Sequence, residues 1–198
     1  MKIDVQASIK NQIKTSIFVK QAILDDRKII DQIEALAKLC LLSLRSGGKI
    51  IFAGNGGSFA DAQHLSAEFT SRFLFDRAPL ASLALGTNNS AMSAIGNDYG
   101  YDQVFARELD GVAGSNDVFI PISTSGNSPN ILAATMMAKE LGITTTALTG
   151  VSGGKLRLMC ESICIPSDNT ARIQECHIMV GHILCGLVET QYFVNPTK

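Results

Sequence analysis

Hydrophobic residues recur at intervals of three and four over much of the chain, which is the spacing of helices that bury one face. Two such stretches open the sequence, and a Ser-Gly-Gly run at residues 46–48 ends the second one. A final helix at 170–193 is apolar on nearly every side, so it is expected to be buried in an assembly as well as in its own fold. The other helices are predicted at about 5–25, 26–45, 88–96, 102–109 and 129–141, and one more follows residue 58 and carries His64 and Glu68.

Short β-branched runs alternate with these helices. The predicted strands are 50–52, 81–85, 117–122, 143–148 and 162–165, and 73–80 is predicted to be a surface connection. Pro121 cannot donate to a ladder, so it is expected at the end of its strand. The alternation implies right-handed βαβ units and an α/β fold with a parallel sheet of about five strands and helices on both faces. We predict one domain, residues 1–198, with an N-terminal helical extension over about 1–46.

Composition narrows the possible partners. The net charge is -1, from 17 Lys and Arg against 18 Asp and Glu, and no basic run is present. This balance predicts neither a nucleic acid nor a membrane as partner, and it favours small molecules. The N-terminus lacks a signal-peptide pattern and the five cysteines form no CxxC pair. We therefore expect a cytoplasmic protein with reduced thiols.

The segment 54–58, Gly-Asn-Gly-Gly-Ser, joins a predicted strand to a predicted helix. Glycines let the backbone present N–H groups, and the positive end of the following helix favours an anion such as phosphate. A tight turn without any ligand is the alternative. NAD is unlikely as the ligand, because Phe59 stands where the dinucleotide fingerprint needs a third glycine and no acidic residue follows the second strand.

A second loop, residues 123–128, follows another predicted strand. It holds four hydroxyl side chains in six residues, whereas a helix cap needs only one. Ser128 is a good N-cap and Pro129 a good first helical residue. Two such loops at carboxyl ends of strands fit a monophosphate on a polyhydroxylated molecule.

His64 and Glu68 are four residues apart on the helix that follows the glycine segment, so their side chains project side by side. Either residue alone would more often be structural, but together they suggest acid/base chemistry or a metal site. His182 lies in an apolar stretch of the last helix, where a core hydrogen bond or a metal could satisfy it. For Gln174 the alternative is a polar residue at the start of that helix without a functional role.

These segments resemble the phosphoheptose isomerases, which convert sedoheptulose 7-phosphate and belong to the sugar-isomerase, or SIS, domain class. The resemblance rests on 53–58, on Asp61, His64 and Glu68, on 96–98, on 123–128, and on 171–175 with His182 beyond. It departs at Pro121, where the family usually has glycine, and at Phe59, which is larger than the common small residue.

The resemblance implies a flavodoxin-like αβα sandwich and a homotetramer that isomerises sedoheptulose 7-phosphate to D-glycero-D-manno-heptose 7-phosphate. That reaction is the first step toward nucleotide-activated heptose for lipopolysaccharide or other surface glycans. Glu68 would be the base, His182 the acid, and one Zn²⁺ per subunit would be held by His64, Glu68, Gln174 and His182. The implied substrate contacts are Asn55, Gly56, Gly57, Ser58, Glu68, Asn97, Asp98, Ser123, Thr124, Ser125, Ser128 and Gln174.

Two questions stay open at this point. Gln174 and His182 are about 12 Å apart along a straight helix and about 80° apart around it, so they share a metal only by leaning together, across a bend, or from different subunits. The other open question is function. The alternatives are a non-catalytic SIS protein that binds a replication-initiation protein, a sugar-phosphate sensor of a transcription regulator, and an SIS isomerase for another sugar phosphate.

Overall fold

The computed structural model describes residues 4–194. No helix within that range is long and apolar enough to cross a membrane. The α-helices are α1 (Val5–Asp25), α2 (Arg27–Arg45), α3 (Gly57–Thr70), α4 (Asn89–Tyr99), α5 (Val104–Val112), α6 (Pro129–Glu140) and α7 (Thr170–Phe193), with 3₁₀ turns at Tyr101–Gln103 and Leu156–Leu158. The strands are β1 (Ile50–Gly54), β2 (Ser82–Ala84), β3 (Val118–Ser123), β4 (Thr144–Thr149) and β5 (Glu161–Cys164).

The five strands form one parallel sheet in the order β2-β1-β3-β4-β5. This confirms the predicted α/β fold, and the order is that of flavodoxin-like sheets. Successive strand residues point to opposite faces. Ile50 and Phe52 therefore pack with α1, α2, α3 and α7, whereas Ile51 and Ala53 pack with α5 and α6 on the other face.

Polar side chains set several helix boundaries. Asp26 separates α1 from α2, and its Oδ1 accepts hydrogen bonds from the N–H groups of Lys28 and Ile29. Asn88 caps α4 by accepting from the N–H of Ala91, at the cap that the sequence predicts. Ser128 occupies the N-cap position of α6, but its hydroxyl does not cap the helix.

The prediction that Pro121 ends its strand is wrong. It lies inside β3, opposite Ala53 of β1, and the strand continues to Ser123. The pairing of β3 with β4 is interrupted at Ile120 and Pro121 and resumes at Ile122. A proline lacks only one ladder donor, and the pairs on both sides keep the strand in register.

The order in which the chain adds strands reverses at β1. The chain places β2 on one side of β1 and then returns to place β3 on the other side. Ligands of such sheets bind in the crevice beyond the carboxyl ends of the strands at this switch point. The glycine loop (residues 54–58) follows β1, and the hydroxyl loop (residues 123–128) follows β3. The topology thus brings the two predicted anion loops side by side.

Candidate active site

The glycine loop turns directly from β1 into α3. Gly56 has φ 57°, in the left-handed region that favours glycine, and it occupies the N-cap position of α3. The N–H of Ser58 donates to the carbonyl of Asn55 at 3.0 Å. Ser58 itself is buried, so Gly56 and Gly57 form the exposed part of the loop. The helix start faces the crevice with small residues, as an anion site requires.

A pair of amides ties the two loops together. Asn55 Nδ2 donates to Asn130 Oδ1 at 2.8 Å, and Asn130 Nδ2 donates back to Asn55 Oδ1 at 2.9 Å. The Tyr101 hydroxyl also donates to Asn55 Oδ1, at 3.2 Å. Asn130 is in the first turn of α6, directly after the hydroxyl loop. Local sequence patterns do not indicate Asn130 or Tyr101, because their contacts with Asn55 join distant parts of the chain.

The hydroxyl loop is ordered by its own side chains. The hydroxyls of Ser123 and Ser128 lie 3.1 Å apart, and Ser125 Oγ accepts from the N–H of Asn127 at 3.1 Å. Ser123 is buried, whereas Ser125 is exposed. A cavity of about 300 Å³ adjoins the loop, and its polar lining residues are Thr124, Ser125, Asn127, Ser152, Ser167, Asp168 and Thr170. The last four residues add polar side chains to this cavity, and the sequence analysis did not identify them.

His64, Glu68 and His182 meet between α3 and α7. Their ligand atoms all lie within 4.8 Å of one another. His64 Nε2 is 2.9 Å from His182 Nε2 and 3.3 Å from Glu68 Oε1. One of the two imidazole nitrogens must donate to the other in this contact, because two bare ring nitrogens cannot hydrogen-bond. The partner that the sequence analysis required for His182 is therefore His64.

The meeting of these side chains depends on a close approach of the two helices. A Cβ on Gly181 would overlap the side chain of Leu65. Glycine at the position before His182 thus lets α7 pack tightly on α3 at the level of His64. Any larger residue would push the helices apart, and with them the histidines.

Gln174 lies elsewhere along the same helix pair. A Cβ on Gly57 would be 2.6 Å from the side-chain amide nitrogen of Gln174, so Gln174 lies beside the glycine loop. His64 is seven residues beyond Gly57, which is about 10 Å of helix. The described contacts therefore place Gln174 as a neighbour of the glycine loop and do not bring it to the three-residue cluster.

Asn97 and Asp98 lie on α4, and no described contact joins them to the cluster. Both are exposed near the end of α4, where Asn97 Nδ2 donates to Asp98 Oδ1 at 2.8 Å. They line an open groove along α4 that shares no lining residue with the cavity at the hydroxyl loop.

The cluster has the chemistry of a metal site. Two imidazoles and one carboxylate leave a fourth position open on zinc, as in catalytic rather than structural sites. Asp61, one turn before His64, has a buried Oδ2 without a hydrogen-bond partner among the described residues. Burial raises the pKa of Asp61 to about 6, against the opposing effect of His64 nearby. These features make the cluster between α3 and α7 a candidate metal site.

Comparison with known proteins gives consistent matches. The SIS domain family model matches residues 19–150. A phosphoheptose isomerase of Sulfurimonas denitrificans is 52% identical over 186 residues, which are 93% of this chain and 95% of that protein. Another, of Aneurinibacillus thermoaerophilus, is 52% identical over 188 residues, 94% of this chain and 95% of that protein.

Solved structures agree with the sequence matches. A phosphoheptose isomerase from Francisella tularensis superposes with a TM-score of 0.90 at 34% identity, over 95% of this chain and 100% of that one. One from Neisseria gonorrhoeae gives 0.88 at 39% identity, over 94% and 99%.

Proposed function

We propose, since this chain belongs to the phosphoheptose isomerases of the SIS domain family, that it converts sedoheptulose 7-phosphate to D-glycero-D-manno-heptose 7-phosphate. The observation that carries the proposal is the meeting of Glu68 and His182 in one cluster, His64 lying within 3.3 Å of Glu68 and 2.9 Å of His182. An isomerase of this kind must move one proton between carbons and one between oxygens. The cluster offers a carboxylate for the first transfer and an imidazole for the second.

The proton steps can be assigned to named atoms. The Glu68 carboxylate takes a proton from C1 of the ketose, and the C–H electrons form the C1–C2 double bond of an ene-diol while His182 gives a proton to O2. His182 then takes the proton from O1 as the C1 carbonyl forms, and Glu68 returns its proton to C2. Both residues end in the states in which they began, so no co-reactant is needed.

The phosphate is assigned to the hydroxyl loop. Ser125 Oγ accepts from Asn127, so its own proton remains free to donate to a phosphate oxygen. Gly56 and Gly57 hold the sugar near the start of α3, beside Gln174. The other substrate contacts that we propose are Asn55, Ser58, Asn97, Asp98, Ser123, Thr124 and Ser128.

A Zn²⁺ ion fits the side chains of His64, Glu68 and His182. Bound there, it would supply a Lewis acid for the substrate's carbonyl oxygen. A carboxylate that binds a metal is a weaker base, so Glu68 would combine two roles that oppose each other. Gln174 is the fourth ligand suggested by the family resemblance, and its place beside Gly57 makes it the least supported of the set.

We further propose that the protein is a homotetramer. Val5, Ile9, Ile13 and Ile17 form a stripe at four-residue spacing on α1, and each is more than half exposed. Ile183 and Leu187 add exposed apolar surface on α7. An apolar stripe of this length on a monomer's surface indicates an interface, and a second copy of the chain is the occupant that the proposal names.

The direct test is to incubate the protein with sedoheptulose 7-phosphate and to follow the aldoheptose by NMR or chromatography. We expect conversion to an equilibrium mixture from either side. Binding of the sugar phosphate without conversion would exclude the isomerase and favour a sensor. We also infer that the product enters nucleotide-activated heptose synthesis for lipopolysaccharide or other surface glycans, which the family membership supports.

A further inference from the structure

Arg77 and Glu189 form a buried ion pair next to the proposed active site. Arg77 Nε lies 2.8 Å from Glu189 Oε1, and the two side chains are 3% and 1% exposed. Glu189 is seven residues after His182 on α7, so both project from the same face of that helix. Arg77 belongs to the segment 71–81 between α3 and β2, of which residues 73–80 were predicted to be a surface connection. That prediction is wrong for the side chain of Arg77 and for Leu80, which are both buried.

Glu189 holds the start of this connection through two backbone bonds. Its Oε1 accepts from the N–H of Phe73 at 2.9 Å, and its Oε2 accepts from the N–H of Leu74 at 2.7 Å. The ring of Phe73 is stacked on the imidazole of His182, with centroids 5.4 Å apart and an interplanar angle of 21°. Gly186, one turn after His182, lies against the same ring, since a Cβ there would be in ordinary van der Waals contact with Phe73 at 3.4 Å.

Arg77 also holds the backbone around Glu68, the second proposed catalytic residue. Its Nη2 donates to the carbonyl of Glu68 at 2.8 Å, and its Nη1 donates to the carbonyls of Phe69 and Ser71 at 2.7 and 3.0 Å. The last carbonyls of a helix have no partner within it, and a cation there also complements the helix dipole. Glu68 lies in the last turn of α3, which would otherwise fray.

We propose that Arg77 and Glu189 are positioning residues of the active site, which hold Phe73 against His182 and fix the helical turn that carries Glu68. This inference rests on the proposed function, because it assumes that Glu68 and His182 are the base and the acid. A single buried pair thereby sets the orientation of both groups. Misplacement by about 1 Å is enough to slow catalysis about 100-fold.

The charge state of the pair is secured by the same bonds. Burial would raise the pKa of Glu189, but the N–H groups of Leu74 and Phe73 and the guanidinium of Arg77 outweigh it, so the pKa is lowered. Arg77 uses all its nitrogens in this network, which a lysine with one ammonium group cannot reproduce. Arg77→Lys therefore tests positioning without leaving Glu189 as an unpaired buried charge.

The experiment measures kcat, KM and thermal stability of Arg77→Lys. We expect kcat to fall about 10- to 100-fold and KM to change less than about threefold, because the hydroxyl loop is untouched. Asp117→Asn is the matched control, since Asp117 pairs with Lys49 at 2.7 Å, is 3% exposed, and lies at the amino end of β3, away from the site. It should lower stability and leave kcat at the wild-type value.

Phe73→Leu gives a second test that leaves the ion pair intact. It should lower kcat with little change in KM, and Phe73→Tyr, which keeps the ring, should restore kcat. If Arg77→Lys fails to fold, these two variants decide the matter. Wild-type kcat in Phe73→Leu, or in a folded Arg77→Lys, overturns the inference. An active Glu68→Gln variant would instead show that Glu68 is not the base, and a wild-type protein that binds but does not convert sedoheptulose 7-phosphate would remove the proposed function itself.

Discussion

His64 and His182 meet edge to face, with ring planes at 73° and Nε2 atoms 2.9 Å apart, although 118 residues separate them in the chain. A hydrogen bond between the two nitrogens requires that one of them carries a proton and the other accepts it. Glu68 lies 3.3 Å from the same nitrogen of His64. The three groups therefore form one contiguous polar cluster, in which His64 contacts both of the others.

Replacement of Glu68 by Gln should abolish turnover and leave substrate binding in place. The amide keeps the shape and can still accept a hydrogen bond, but it cannot take a proton at neutral pH. Loss of a positioned base lowers kcat by about 100- to 10,000-fold. The same variant should stop solvent deuterium from entering the carbon beside the carbonyl. Glu34→Gln, at an exposed position of α2, is the control. Near wild-type exchange in Glu68→Gln would move the base to His182, Asp98 or Asp61.

Zinc affinities of two variants should show whether the site consists of His64, Glu68 and His182 alone or also includes Gln174. In chelator-treated protein, His64→Ala should weaken zinc affinity at least about tenfold, because it removes one of three converging ligands. Gln174→Ala should leave zinc affinity near wild type and raise KM, since Gln174 lies beside Gly57. Competition with a chromophoric chelator measures both affinities. Equal loss in the two variants would show that Gln174 reaches the metal after all.

Ser125→Ala should weaken binding of the sugar phosphate. It removes one hydroxyl donor to an anion, which corresponds to a loss of about 1.5–3 kcal/mol, or roughly 10- to 100-fold in affinity. Ser115→Ala is the control, because Ser115 is exposed in the turn before β3, at the opposite end of that strand. Calorimetry with substrate can be performed in the Glu68→Gln background. An unchanged dissociation constant would place the phosphate elsewhere.

Ile13→Asp should break the assembly. Ile13 is 55% exposed in the middle of the apolar stripe of α1, and a carboxylate buried in an interface has no partner there. Light scattering at micromolar concentration should give four times the 21.1 kDa chain mass for wild type and a smaller species for the variant. Asn11→Asp introduces the same group on another side of α1 and should leave the mass unchanged. A wild-type monomer would contradict the proposed tetramer.

His177 should make the fold sensitive to acid. Its ring is fully buried, and its Nε2 donates to the carbonyl of Thr149 at 3.1 Å. Burial lowers its pKa from 6.5 to about 4, in spite of that hydrogen bond. Between these values the unfolded chain binds a proton that the folded chain does not, so stability falls as the pH falls. The loss amounts to about 3 kcal/mol in total.

Denaturant unfolding at pH 7 and pH 4.5 checks this expectation. His177→Gln cannot titrate, so the difference in unfolding free energy between the two pH values should be smaller than in wild type. An equal difference in both proteins would assign the acid sensitivity to other groups.

Local sequence features predicted most of the fold. Asp26 and Asn88 mark helix starts that can be recognised from side-chain chemistry, and the β-branched runs are the strands of the sheet. Pro121 was misplaced because local rules weigh a missing donor heavily, whereas the surrounding ladder holds β3 in register. Tertiary pairing outweighed a local preference there.

The candidate site was predictable only in its local parts. The spacing of His64 and Glu68 and the composition of the two loops are visible in short segments. Phe73, Arg77 and Asn130 were missed because each acts on a residue of another element, and nothing near them in the chain reveals the partner. The location of Gln174 beside Gly57 was likewise invisible, because it depends on how α7 lies along α3.

The reciprocal amide bonds between Asn55 and Asn130 join the glycine loop to the helix that follows the hydroxyl loop. Because both loops are also anchored on neighbouring strands, the gap between the phosphate end and the proton-transfer end of the crevice is fixed. If the phosphate binds at Ser125 as proposed, this distance would select substrates by the number of carbons between their phosphate and carbonyl groups, because only a matching sugar would reach Glu68. Shorter sugar phosphates would bind by the same loop and stay out of register with the base.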